Sequence, residues 1–386
     1  MKPPRTIAFV TAAALLVLIV PTVAQAHSVL PTGTAQGTSP SSAPQSAVFT
    51  ITNNATANSV VAYRIASGGA LVKAGTFATH GAGSGASLGD QGALALTADH
   101  RWLLVVDAGS NQISVFHVNG ARGSAPLLSF SGRVGSGGVH PVSLAIHKSL
   151  VYALNTGNST VAGDIAGFLL TSTGHLVALS GSHRALSSSN ATGAAQLSFN
   201  PSGSALVVTE KATSLIDTYA VGARGYSVGP VTTASYGSTP YGFAFTPNGH
   251  LIVSEAGPGA LSSYSVSGSS GVSVLSGSVL DNQSAPCWVA IAEGGHYAYS
   301  TNAHSASIST YQVLANGTIV LQAQVGGSTG STPTDLAVST STGKYLLAYD
   351  AGAGEIDSFS LGSGGTLAKA ASVYGLPNTA EGLVAF

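Results

Sequence analysis

Seven aromatic residues, Tyr63, Phe116, Phe168, Tyr219, Tyr264, Tyr311 and Phe359, recur at separations of 53, 52, 51, 45, 47 and 48 residues. Each stands in the second of two closely spaced β-type segments. A period of about 40 to 50 residues is that of a propeller whose blades are four-stranded sheets. Such units bury their apolar faces only against one another, so the chain is expected to form one ring, although 386 residues would otherwise suggest two or more domains. The predicted fold is all-β, a seven-bladed β-propeller of four-stranded antiparallel blades over residues 47–386.

Aligned units share one order: a short apolar segment, a turn with Gly, Asn or Asp, a β-branched run ending in a polar residue, a loop, and the aromatic-bearing strand. In the fifth unit these are residues 241–246, the turn Pro247-Asn248-Gly249-His250, residues 251–255, residues 261–266 and residues 272–279. The Asn-Gly pair between apolar runs is a strong hairpin signal. First strands read large-small-large, as in Leu144-Ala145-Ile146, Leu197-Ser198-Phe199 and Val289-Ala290-Ile291. Alternation of period two puts the large side chains on one sheet face and the small ones on the other, where a neighbouring blade can approach. The first unit starts directly at its second strand, Val48–Thr52, and Glu381-Gly382-Leu383-Val384-Ala385-Phe386 has the pattern of the missing first strand. The C-terminus is thus expected to close the ring and remove its open edges.

Ahead of the repeat, Lys2 and Arg5 precede an apolar run from Ile7 to Val20 and the small-residue stretch Ala24-Gln25-Ala26. This is the pattern of a signal peptide over residues 1–26, cleaved after Ala26, followed by a Pro/Ser/Thr/Gly-rich flexible leader over 27–46. The apolar run is shorter than the roughly 20 residues of a transmembrane helix, so no membrane span is expected after cleavage. The reading is a secreted, extracellular monomer. Gly81–Gly89, between the first and second units, is read as another flexible stretch.

Only 7% of residues are charged, and removing Lys2 and Arg5 from the 13 basic residues leaves 11 against 14 acidic ones. No basic patch can supply the phosphate neutralisation that nucleic-acid binding requires, so nucleic acid is excluded as a partner. The single cysteine, Cys287, permits no intramolecular disulfide and reads as a buried, inert thiol.

Propeller ligands bind where loops enter the innermost strands and leave the second ones. There the alignment places Asn54, Asp107, Asn155, Glu210, Glu255, Asn302 and Asp350 at second-strand ends, and His140, Gln196, Tyr241, Trp288, Asp335 and Glu381 at first-strand starts. A short polar side chain at a strand end can serve the backbone of the next turn, whereas a glutamate reaches further. Glu210 and Glu255 therefore read as inward-facing carboxylates able to share a water or a proton. Lys211 flanks the ring. No HExxH or other paired-histidine motif appears, so neither metal nor cofactor is expected. Two GxSxG matches, residues 85–89 and 225–229, lack the strand-to-helix turn of a nucleophile elbow.

The unit Gly193–Val221, with Phe199-Asn200-Pro201-Ser202-Gly203 and Val207-Val208-Thr209-Glu210, resembles a blade of the lactonase-type seven-bladed propellers, a family that includes 6-phosphogluconolactonase and carboxymuconate-cyclizing enzymes. Phe245-Thr246-Pro247-Asn248-Gly249 and Tyr297-Ala298-Tyr299-Ser300-Thr301-Asn302 extend the likeness from about residue 47 over nearly all that follows. The resemblance matches Glu210 to a family glutamate and His140 to a family histidine. Ala195 and Gln196 stand where the family carries arginine and histidine. It implies hydrolysis or isomerisation of a lactone or related small organic acid, with Glu210 as general base and Lys211 or His140 stabilising the oxyanion. Glu255, Gln196, Tyr241, Trp288 and Asp335 would line the substrate site. The alternative is a non-catalytic propeller that binds a glycan, small molecule or protein through Tyr241, Trp288 and a hydroxyl-rich rim.

Overall fold

A computed structural model of the chain describes Met1 and residues 46–119, 127–188, 192–341 and 343–386, so the expected signal peptide apart from Met1 and the expected leader apart from Ser46 lie outside the described residues. Seven antiparallel sheets follow one another along the chain, six with four strands and one with five. The fifth blade runs Pro240–Phe245, Leu251–Glu255, Ala260–Ser267 and Gly271–Leu280, within two residues of the ranges read from its turns. In the third blade the outer edge is split into Leu176–Ala178 and Arg184–Ala185, both paired with Asp164–Leu170. The Ser182 hydroxyl fills the gap by accepting from the Gly167 amide at 2.8 Å.

All seven register aromatics lie on third strands and are at most 2% exposed. They fill the seams between blades, and two of the tyrosine hydroxyls cross those seams: Tyr219 donates to the Ala185 carbonyl at 2.9 Å and Tyr311 to the Val279 carbonyl at 3.1 Å. The large-small alternation of the innermost strands works as expected. Leu144 packs in the cluster shared with the second blade, Ala145 in the one shared with the fourth. Val289 and Ala290 are divided in the same way. One sheet face supplies bulk and the other a shallow surface, as wedge-shaped packing around an axis requires.

The C-terminal strand Glu381–Ala385 pairs with Ala47–Ile51 and completes the first blade. Two 3.0 Å backbone bonds join Ala47 and Phe386, and the Thr50 hydroxyl donates to the Glu381 carbonyl at 3.1 Å. Phe386 stacks against Phe49 at 6.1 Å and His100 at 4.9 Å.

Innermost strands of the third to seventh blades share another device, a register shift at the entry end: Pro141/Ser143, Ala194/Gln196, Pro240/Phe243, Pro286/Val289 and Pro333/Asp335. A bulge leaves a residue unpaired and re-aims its neighbours, here at one end of the central channel. Removing residues 381–386 should lower the melting temperature on the order of 10 °C. Leu383 and Phe386 alone bury about 3–6 kcal/mol of apolar surface, and each kcal/mol shifts the midpoint by about 2–4 °C. An unchanged melting curve would contradict closure by this strand.

Candidate functional site

The polar residues at second-strand ends turn away from the channel and clamp incoming loops. Glu210 is fully buried; its carboxylate accepts from the Ser187 amide at 3.1 Å, the Ser187 hydroxyl at 2.5 Å and the Thr213 hydroxyl at 2.6 Å. Glu255 accepts from the Gly237 amide at 2.8 Å, the Tyr264 hydroxyl at 3.1 Å and the Ser278 hydroxyl at 2.5 Å. A Cβ at Gly237 would strike that carboxylate, so the loop can descend onto it only as glycine. Asp107 takes Asn58, Thr79 and Ser114 at 2.9, 2.6 and 2.6 Å, and Asp350 takes the Ser331 and Thr332 amides at 2.5 and 2.8 Å. Asn54 is exposed, and the buried Asn53 does the clamping in the first blade. The expectation that Glu210 and Glu255 face inward is thereby corrected. Glu210 and Glu255 each satisfy at least three donors, as Asp107 does in the second blade.

What occupies the channel mouth is the stretch expected to be a flexible connection. Residues 83–92 are tied across the axis. The Gly83 and Gly85 amides bond the Asn54 and Asn53 carbonyls at 2.7 and 2.9 Å, and the Asn53 side chain holds the Ala86 carbonyl at 2.7 Å. The Leu88 amide donates to Glu381 Oε1 at 2.8 Å on the first blade. The Gln91 amide reaches the Ala195 carbonyl at 3.0 Å on the fourth, and the Ser143 hydroxyl of the third reaches the Gln91 carbonyl at 2.6 Å. On the sixth, the Gln91 side chain exchanges bonds with the Val289 backbone at 3.0 and 3.2 Å, and Trp288 Nε1 donates to the Asp90 carbonyl at 2.7 Å. Gly242 must lack a Cβ, which would collide with Gln91 Oε1. The segment forms a plug.

Beneath the plug lies a compact electrostatic cluster. Lys211, just past the second strand of the fourth blade, donates from Nζ to the Gly89 carbonyl and sits over the Tyr241 ring at 4.4 Å. Burial lowers its pKa, against the pull of Asp90, Cys287 and Glu381. Asp90 is buried with neither carboxylate oxygen hydrogen-bonded, and desolvation, followed by the Glu381 charge, raises it well above the usual carboxylate range. Burial also raises Asp335, and it brings Glu381 to about 7. Glu381 Oε2 is buried without a partner. Desolvation and like charge thus hold protons on acids that would be ionised in water, and one amine sits among them. Such groups can donate, accept and stabilise charge at neutral pH. Among the described residues, no three His, Cys, Asp or Glu side chains are arranged to hold a metal ion.

Of the expected site residues, Lys211, Tyr241, Trp288 and Asp335 meet at this end, with Glu381. Trp288 is only 3% exposed and tilts against Tyr241 at 5.1 Å, so its ring supports the plug and offers no stacking face to a ligand. Gln196 is also structural: its amide exchanges bonds with the Phe243 backbone at 2.9 and 2.6 Å. His140, at φ 59°, donates its backbone amide to Asn111 Oδ1 at 2.8 Å, and its Nδ1 meets the Thr156 hydroxyl at 3.0 Å. It pairs with neither Glu210 nor Lys211 among the described residues, and burial lowers its pKa. Cys287 is buried, as expected, and desolvation pushes its thiol up to about 12. Asp90 escaped the repeat alignment because it stands in the one inter-blade segment with no counterpart in the other units.

Comparison with known proteins agrees with this architecture. The family model described as lactonase, 7-bladed beta-propeller, matches residues 49–256 and 252–380. A putative 6-phosphogluconolactonase from Bacteroides uniformis superposes with TM-score 0.70 at 16% identity, covering 88% of this chain and 99% of its own. Another from Bacteroides fragilis gives 0.65 at 16%, covering 90% and 100%. The periplasmic gluconolactonase of Pseudomonas aeruginosa gives 0.65 at 16%, covering 88% and 98%. No curated protein sequence matches. Seven blades, closure by the C-terminal strand and a family match spanning the ring lead to one conclusion: the chain belongs to the lactonase family of seven-bladed β-propellers.

Proposed function

We propose that this protein is an exported lactonase-type hydrolase whose chemistry lies at the plugged end of the channel. The observation that carries the proposal is the Lys211 ammonium donating to a carbonyl oxygen, that of Gly89, with Asp90 and Glu381 close enough to shift one another's protonation. In this reading the Gly89 carbonyl stands where a lactone carbonyl would be polarised, and the substrate displaces it when the plug yields. Lys211 stabilises the oxyanion of water addition, and Glu381 takes the proton of the attacking water. Several carboxylic acids surround one amine, which favours an uncharged lactone over a phosphorylated one. The alternative of a glycan- or protein-binding mouth draws less support, because Trp288, its main stacking group, is covered. Export is supported by the positive, apolar and small-residue segments of residues 1–26 and by the low charge of the rest. No helix among the described residues is long and apolar enough to cross a membrane.

With a panel of neutral five- and six-membered lactones, Lys211→Met should lower kcat/KM by about 10²–10³-fold and Glu381→Gln by about 10²–10⁴-fold. Glu210→Gln should leave kcat/KM within about threefold while lowering the melting temperature, since it weakens charge-assisted bonds worth about 1.5–3 kcal/mol each. Absence of turnover by the unaltered chain would reject the proposal.

Stability should depend on pH in a defined direction. Glu381 binds its proton more tightly folded than unfolded, its pKa moving from 4.5 to about 7. Its contribution is therefore complete below about pH 4.5 and is lost as pH rises through about 7, by up to about 3 kcal/mol. Melting temperatures recorded from pH 5 to 8 should fall, and Glu381→Gln should flatten the slope; an identical slope in the variant would remove Glu381 as its source. Mass spectrometry of protein collected outside producing cells should show a chain beginning at His27, and an intact Met1 there would contradict cleavage.

A further inference from the structure

At the opposite end of the channel the innermost strands run out into an open pit of about 550 Å³. Its floor is Leu336 and Leu383, one and two residues beyond Asp335 and Glu381. Its walls are aliphatic, from Leu96, Ile291, Val338 and Val384, each only half-buried. These four belong to the second, sixth, seventh and first blades. In the fourth and fifth blades the matching positions are Phe199 and Phe245, whose rings pack back on Tyr152 at 6.0 Å and Phe243 at 6.0 Å. The opening is consequently offset towards the aliphatic blades. Its polar edge is Thr97, His100 and Thr340, with His100 Nε2 and the Thr340 hydroxyl 3.3 Å apart. Among the described residues, no lysine, arginine, aspartate or glutamate lines it.

We propose that this pit is a second binding site, for a neutral and mainly apolar small molecule with one hydroxyl or carbonyl group, such as a medium-chain alcohol or an isoprenoid alcohol. The volume lies within the roughly 300–1,000 Å³ of small-molecule sites, and an apolar wall with a few polar groups on one side is their usual construction. An ionised ligand would lose its hydration against walls that offer no counter-charge. The hydroxyl edge fixes the orientation: the ligand's oxygen meets Thr340 and His100 at the rim while its hydrocarbon reaches the Leu336–Leu383 floor.

Nile red titrated into the full chain should show saturable binding, displaced by 1-decanol at least tenfold more effectively than by decanoate. Thr340→Trp at the exposed rim and Val338→Trp in the wall should each weaken binding at least tenfold. The rim variant keeps the test valid if the wall variant fails to fold. Lys211→Met should leave dye binding unchanged. The proposal is overturned by absence of saturable binding, by indifference to both tryptophans, or by an equal loss in Lys211→Met. It is equally overturned if the dye binds only after residues 27–45 are removed, which would make the leader the occupant, or only to a monomer released from a dimer.

Discussion

The pairing of Glu381–Ala385 with Ala47–Ile51 is the constraint on which the rest of the molecule depends. A chain of repeats has two ends, and each exposes an unpaired strand edge and an apolar blade face. Joining the two chain ends within one sheet removes both defects together, and no disulfide is present to do the work instead. The same strand carries Glu381 to the channel, where Oε1 receives the Leu88 amide. Closure, plug and polar cluster are therefore one mechanical unit: the segment that seals the ring also anchors the segment that seals the channel.

Low overall charge gives the cluster its character. With 13 basic and 14 acidic residues in the chain, charge is scarce, yet Asp90, Asp335, Glu381 and Lys211 are gathered in one buried place. An uncompensated carboxylate costs several kcal/mol to bury ionised, so the group instead keeps its proton. At Asp90 neither carboxylate oxygen finds a donor. Structural acids of this protein look quite different. Glu210, Glu255 and Asp107 are just as deeply buried, but hydroxyls and amides satisfy them. Hydrogen-bond satisfaction, more than burial, separates the acids that hold loops from Asp90 and Glu381, each of which keeps a buried oxygen without a donor.

Much of the fold was legible in the sequence because every blade repeats one compromise between bulk and approach. A buried aromatic must sit at the same seam in each unit, so its spacing reports the blade count, and the incomplete first unit announces its missing strand. The mouth was legible only in part. Asp335, Tyr241 and Glu381 follow from register, and so does the position of Lys211. The direction of a side chain at a strand end does not: successive residues of a strand face opposite ways, and a bulge changes which way each one faces. Glu210 and Lys211 are neighbours in sequence, yet one bonds Ser187 in a blade seam and the other reaches Gly89 on the axis.

The plug was misread for a related reason. Gly81, Gly83, Gly85 and Gly89 suggest a loose connection when only composition is considered. Here small residues serve close approach, because the segment must pass between inner strands that leave little room for side chains. Backbone amides and carbonyls buried in that space need partners, and four blades supply them. A segment held mainly through its own backbone amides and carbonyls can exchange those bonds for others of the same kind. In the proposed function, a substrate carbonyl offered to Lys211 competes directly with Gly89, oxygen for oxygen, so the plug need only cede one acceptor for the ammonium to change partners. That equivalence makes the sealed channel compatible with the opening that the proposed function requires.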